Sequence, residues 1–255
     1  MQQAIAAGQL ENFYQPKVEL SSGNVVGVET LVRWRHPVDG LVFPDQFIPL
    51  AEEHGLIDAL TRTVLTAALQ QTRRWQEAGV DLNVAVNVSM DNFSSLEFPD
   101  FIARSAEKAA VPVTNLILEI TESRLMKNPL AALDIITRLR LKRIKLSIDD
   151  FGTGHSSLAQ LRDLPFDELK IDRSFVHGAC RHGDLRAIVE ASLAMARKLG
   201  MKVVAEGPET REDWDFLQAA GCNMAQGYFI AKPMPASELQ GWLSEWESTR
   251  RQELL

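Results

Sequence analysis

Cysteine is nearly absent. The two in 255 residues, Cys180 and Cys222, stand far apart and lack any CxxC spacing, so neither a disulfide framework nor a thiolate metal site is encoded. Free thiols of this kind belong to a reducing compartment, and a cytoplasmic protein is expected. Long apolar runs are also missing. None approaches the ~20 residues that cross a bilayer, so no membrane insertion is expected. The opening Met1-Gln2-Gln3-Ala4 has no basic region followed by an apolar core, which argues against a signal peptide. Positive charge is in deficit, with 27 Lys+Arg against 34 Asp+Glu and a net charge of -7. That balance argues against coating a nucleic-acid polymer, although local cations or metals would still admit a small anion. His36, His54, His155, His177 and His182 show no metal-ligand spacing. Finally, no low-complexity tract or linker divides the chain, so residues 1–255 read as one domain.

What is present is a repeat of apolar strands and amphipathic helices. Residues 11–20 and 25–34 read as strands joined by Ser21-Ser22-Gly23-Asn24, a connection short enough to make them antiparallel. Residues 44–55 and 57–78 carry helical periodicity, with Gly79 placed to end the second helix. Strands then alternate with helices: 82–89 with 99–110, 116–122 with 129–141, the strand from 145 with a short helix from about 156, 168–172 with 184–199, 202–206 with 210–220, and 224–229 with 236–250. That alternation implies parallel strands. About eight of them in this length predict an irregular TIM-like (β/α)8 barrel with its first strand antiparallel and its core at about 11–250. Trp214, Trp242 and Trp246 recur at helical positions and are expected to pack the last helices.

The strands are apolar until their C-terminal ends, where polar residues gather: Glu29, Asn87, Glu119, Asp149 with Asp150, Lys170, Glu206 and Gln226. In a barrel these ends converge on one mouth. One such residue is ordinarily a cap or a solvated end, but seven strands ending this way would crowd one another with charge. Adjacent aspartates are costly to bring together without a cation, and the glycines of Asp149-Asp150-Phe151-Gly152-Thr153-Gly154 would let both carboxylates turn to one site. Carboxylates with an amide suit Mg²⁺, Mn²⁺ or Ca²⁺ better than Zn²⁺. Their number suits two ions sharing Asp149, and two cations ~4 Å apart clamp an in-line displacement at phosphorus. Lys170, in an apolar strand, reads either as a buried ion pair or as the group that orients the attacking water. A Schiff-base role, as in a lysine-dependent aldolase, would be opposed by carboxylates that keep it protonated.

Taken together, Tyr14-Gln15-Pro16, Glu29-Thr30-Leu31, Asn87-Val88-Ser89, Glu119-Ile120-Thr121-Glu122, Asp149 to Gly154, Leu169-Lys170-Ile171-Asp172, Gln226-Gly227-Tyr228 and Lys232-Pro233-Met234-Pro235 are specific. The chain resembles the EAL-domain family of cyclic di-GMP phosphodiesterases over nearly its whole length. The resemblance implies hydrolysis of cyclic di-GMP to linear pGpG with two Mg²⁺ or Mn²⁺ ions, inhibition by Ca²⁺, and a homodimer formed through the loop after Asp150. It also implies a place as the output domain of a larger signalling protein with fused sensory domains. By motif, Glu29, Asn87, Glu119 and Asp149 would ligate one metal, and Asp149, Asp150 and Glu206 the other. Lys170 would hold the water, with Asp149 and Glu206 in the catalytic set. Gln226 would complete the site on the ligand side, with Gln15, Leu31 and Arg33 facing the phosphate or sugar. Glu122 would anchor the loop after Asp150, and Glu209 would support the loop carrying Glu206.

Three positions depart from the family pattern. Thr30 replaces the middle alanine of the name-giving triplet without touching Glu29. His155 stands where tyrosine is frequent. Pro208 stands where valine is usual, and it is expected to push Gly207 into extended geometry and disturb the aim of Glu206. A cyclic di-GMP receptor with weak or no catalysis is therefore the alternative reading.

Overall fold

In the computed structural model, residues 1–122, 129–153 and 164–250 are described. Ten strands form one sheet: β1 Leu10–Glu19, β2 Val25–His36, β3 Gly40–Val42, β4 Asn83–Asn87, β5 Leu116–Thr121, β6 Lys145–Phe151, β7 Glu168–Ile171, β8 Lys202–Glu206, β9 Met224–Gln226 and β10 Met234–Pro235. Its order is β10-β1-β9-β8-β7-β6-β5-β4-β2-β3, and an extra pairing of β1 with β2 closes it. Eight strands make the barrel. β1 is antiparallel to both of its barrel neighbours, β2 and β9, and every other barrel pairing is parallel. The expected irregular barrel is thus observed, with the reversed strand first.

The parallel strands read as nearly continuous apolar runs because both of their faces are covered. Val84, Leu116, Leu118, Ile120, Leu146, Ile148, Leu169 and Val203 form the layer between sheet and helices. Helix Ile57–Glu77 buries Leu60, Val64, Leu65, Ala68, Leu69, Thr72 and Trp75, a stripe at helical spacing, and Gly79 leaves the helix at φ +82°. Trp214 and Trp246 are fully buried, and the Trp242 and Trp246 rings stack 5.2 Å apart, so these residues pack the last helices as expected.

The structure corrects several expectations. Glu29 is not at the end of its strand. β2 pairs with β4 only from Gly27 to Thr30, then runs on to His36 against β1 and β3 as a rim hairpin. The strand expected over 224–229 stops at Gln226, because Ile230 and Ala231 both donate their N–H to Gly227 O and turn the chain. Helix Gln2–Ala6 and strands β3 and β10 had no clear sequence signal. The short helix expected from about 156, together with His155, lies outside the described residues.

Candidate active site at the barrel mouth

Side chains at alternate strand positions point inward, so the inward residues stack in layers along the barrel. The upper layer holds Glu29, Glu119, Asp149, Lys170, Glu206 and Gln226, and Gln15 from the reversed strand. The layer beneath contains Lys17, Ser147 and Glu168. Because β1 runs the other way, the step from Gln15 to Lys17 descends into the barrel, whereas the step from Glu168 to Lys170 rises toward the mouth.

Lys170 is the hub. Its Nζ lies 2.7 Å from Glu206 Oε1, 3.0 Å from Asp149 Oδ1, 3.2 Å from Glu119 Oε2 and 3.4 Å from Glu29 Oε2. An ammonium has three N–H donors, so four carboxylates oversubscribe it. Burial opposes its charge, but Asp149, Glu119, Glu206 and Glu29 outweigh burial and hold its pKa well above that of an ordinary lysine. A Schiff-base lysine must be neutral to attack, so this position does not suit one.

The carboxylates differ among themselves. Burial would raise Glu119, but Lys17 and Lys170 outweigh it and hold its pKa down at about 2. Burial raises Glu29 to about 7, with the neighbouring Glu119 and Asp149 adding to the effect. Burial also raises Glu206 to about 8, with Asp149 and Glu29 acting in the same direction against Lys170. Asp150 is raised by burial and by Asp149.

Two sets of three carboxylate oxygens, each set within 4.8 Å, share Asp149: Glu29, Glu119 and Asp149, and Asp149, Asp150 and Glu206. Asp150 enters the second set because it adopts a left-handed conformation itself, at φ +55°. The β6–β7 register shifts between Ile148 and Phe151 at that point. The departure from strand geometry was expected from the following glycines, but it begins at the second aspartate, a residue type that tolerates this region better than most. Gly152 then continues at φ +97°, and its N–H donates to Glu122 Oε2 at 2.7 Å.

The donor set fits hard divalent cations. Five carboxylates (Glu29, Glu119, Asp149, Asp150 and Glu206) crowd together at the mouth, and Lys170 is the ammonium among them. The amides supply a second observation. Ala231 O can only accept, so it fixes the NH₂ of Gln15 at 2.9 Å. Gln15 Oε1 then accepts from Gln226 Nε2 at 3.0 Å, and the same Nε2 donates to Glu29 Oε2 at 2.6 Å. This leaves buried Gln226 Oε1 with no hydrogen-bond partner among the described residues, although Gln226 lines the mouth. Asn87 Nδ2 donates to Glu29 Oε1 at 2.8 Å.

The mouth opens into a cavity of about 470 Å³ lined by Gln15, Leu31, Arg33, Arg173, Glu209 and Tyr228 in addition to the charged set. A neighbouring cavity of about 390 Å³, richer in apolar side chains, shares Leu31, Asp45, Asp149 and Asp150 with it. The Arg33 guanidinium lies 4.8 Å from the centre of the Phe43 ring and makes no salt bridge among the described residues. Glu209 is tied by its backbone, its N–H donating to Asp213 Oδ2 at 3.3 Å.

The expected distortion at Pro208 does not occur. Gly207 is not extended but at φ +71°, where a side chain would also meet Arg173 Cβ at 2.5 Å. Gly207 N–H donates to Gln226 O at 2.8 Å, which keeps Glu206 in register with Gln226. Sequence reasoning missed Lys17 and Glu168. Their signal was present, since Lys17 shares a strand face with Gln15, and Glu168 with Lys170.

The EAL domain family profile matches residues 1–233. The bifunctional diguanylate cyclase/cyclic di-GMP phosphodiesterase MucR of Pseudomonas aeruginosa is 44% identical over 94% of this chain and 35% of its own length. The cyclic di-GMP phosphodiesterase NbdA of the same organism is 44% identical over 95% of the chain and 31% of its own. The chain thus spans about a third of the length of these curated relatives. Among solved structures, a MucR phosphodiesterase in complex with c-di-GMP superposes with a TM-score of 0.88 at 44% identity, covering 93% of this chain and 97% of that one. The EAL enzyme Bd1971, bound to cAMP and cyclic di-GMP, gives 0.89 at 31% identity, covering 94% and 66%. With one family matched along most of its length, in sequence and in backbone alike, the chain belongs to the EAL domain family.

Proposed function

We propose that this domain hydrolyses one phosphodiester of cyclic di-GMP to give linear pGpG, with two Mg²⁺ or Mn²⁺ ions at the barrel mouth. The observation that carries the reading is the pair of carboxylate sets sharing Asp149. The relatives named as cyclic di-GMP phosphodiesterases supply the substrate. Glu29, Asn87, Glu119 and Asp149 would hold one ion, and Asp149, Asp150 and Glu206 the other. When bound, such ions polarise a phosphoryl oxygen and lower the pKa of water.

The chain's own groups do the rest. Lys170, kept protonated by four carboxylates, serves as a hydrogen-bond donor that orients water and offsets developing negative charge, and not as a base. Arg33 would meet a phosphate, with Gln15, Leu31 and Gln226 completing the ligand surface; all four line the mouth cavity. The two joined cavities suit a ligand with both a charged backbone and apolar base faces. Glu122 holds the loop after Asp150, and Glu209 supports the loop after Glu206. The same reading makes the domain a cytoplasmic output module and a homodimer.

Product analysis with cyclic di-GMP tests the proposal. Linear pGpG is expected with Mg²⁺ or Mn²⁺ and not with Ca²⁺. Bound but intact ligand under the first two ions would establish the receptor reading instead. Because Glu206 is already in register, Pro208→Val is expected to change turnover by less than about threefold, or under ~1 kcal/mol. A tenfold gain would mean that the proline cripples the parent.

A further inference from the structure

Lys17 lies outside the mouth, among the residues lining a cavity of about 310 Å³ at the opposite end of the barrel. It is nevertheless bonded to the candidate metal set. Its Nζ is 2.7 Å from Glu119 Oε1 and 3.1 Å from Glu168 Oε1, and all three residues are buried. Lys170 approaches the other oxygen of the same carboxylate, Oε2, at 3.2 Å. The two lysines therefore hold Glu119 from opposite sides. One oxygen is fixed from beneath, and the other is turned up into the layer of Glu29 and Asp149.

We propose that Lys17 is a positioning residue for metal binding, holding Glu119 Oε1 from below so that Oε2 alone is presented to a divalent cation at the mouth. This rests on the metal-site reading above and goes beyond it, since nothing in that reading requires a residue from the far end. A carboxylate anchored through one oxygen cannot swing, and groups that orient ligands in this way commonly contribute about 10–100-fold to metal affinity or activity. Without the anchor, Glu119 can rotate to offer both oxygens to Lys170, an ion pair that a cation must then break.

A merely structural role is the competing explanation, because Lys17 also neutralises buried Glu168. Charge-paired removal separates the two. Lys17→Met alone orphans Glu168 and is expected to lower both the thermal midpoint and the affinity for Mn²⁺. Glu168→Gln alone leaves Lys17 on Glu119 and should keep Mn²⁺ affinity, measured by calorimetry, within about threefold, since it alters no group touching the cation set. The double variant Lys17→Met/Glu168→Gln removes the pair without leaving a lone charge. It should recover most of the thermal midpoint yet bind Mn²⁺ about 10–100-fold more weakly than the parent. Parent-like Mn²⁺ affinity in the double variant would overturn the proposal, as would an equal loss in Glu168→Gln. So would a parent that binds no Mn²⁺. Calorimetry needs no substrate, so a parent that binds Mn²⁺ but leaves cyclic di-GMP intact refutes the hydrolytic reading and not this one.

Discussion

The two ends of the barrel carry similar residue types to different ends. At the far end, Glu168 is bonded to Lys17, Asp167 is paired with Arg140 and accepts from Leu146 N at 2.9 Å, and Glu19 accepts from Ser22 Oγ at 2.6 Å. Each acid there has a partner from its own surroundings. At the mouth, Glu29, Asp149 and Glu206 share the ammonium of Lys170, and Glu119 is divided between it and Lys17. The far end is balanced by its own partners, whereas the mouth gathers several carboxylates around one ammonium. Unbalanced buried charge is costly to keep, and it persists where function requires it.

The sharpest way to break this contrast is to remove the shared carboxylate. Asp149 belongs to both oxygen sets. Asp149→Asn should therefore disrupt both ions at once, a loss of several kcal/mol of transition-state stabilisation, or roughly 10³-fold or more in turnover. The thermal midpoint of the metal-free variant should not fall, because the substitution relieves repulsion on Glu29, Asp150 and Glu206 while giving up one of Lys170's four partners. A large drop in midpoint with turnover retained would make Asp149 a structural residue.

A pH series sharpens the same contrast. Glu29 and Glu206 are raised to about 7 and about 8, so in the folded protein they keep protons that the unfolded chain has released. Stability of the metal-free protein should therefore fall as pH rises from about 4.5 toward 8. Glu119 acts with the opposite sign. Its pKa is held at about 2, so the stability it contributes is present above about 4.5 and is lost on acidification toward 2. Thermal midpoints between pH 5 and 8 should decline without metal, decline less in Glu206→Gln, and be raised by Mn²⁺ more at pH 8 than at pH 6. A metal-free midpoint that climbs steadily over this range would show that the mouth carboxylates are not in excess.

The sequence was informative where one periodicity settles the outcome. Alternation along Leu116–Thr121 or Lys202–Glu206 sends every second side chain into the barrel, and eight such strands leave one place for Glu119 and Glu206 to meet. It was uninformative where the backbone departs from that rule. The left-handed conformation of Asp150 depends on a register slip between β6 and β7, and that of Gly207 on the close passage of Arg173, contacts remote in the chain. Lys17 was overlooked for a different reason. On a reversed strand the next inward residue lies deeper in the barrel, so a lysine that looked like part of the first hairpin reaches the carboxylate of the fifth strand.

The smallest effect is expected at the far end itself. Lys202 is exposed, and Lys145 Nζ approaches Asn83 Oδ1 only at 3.5 Å, so neither neutralises a buried acid there. Both line the same cavity as Lys17, but only Lys17 extends to Glu119. The double substitution Lys145→Gln/Lys202→Gln keeps comparable side-chain bulk and removes two positive charges from that rim. Surface changes of this kind stay within about 0.5 kcal/mol, which in a domain of this size is about 1–2 °C in the thermal midpoint. Turnover should stay within about twofold of the parent, because solvent screens these charges and none contacts the mouth. If turnover instead fell tenfold with the midpoint preserved, the rim of the far cavity would be electrostatically coupled to the mouth by a route other than Lys17, and the division of the barrel into a balanced end and an unbalanced end would not hold.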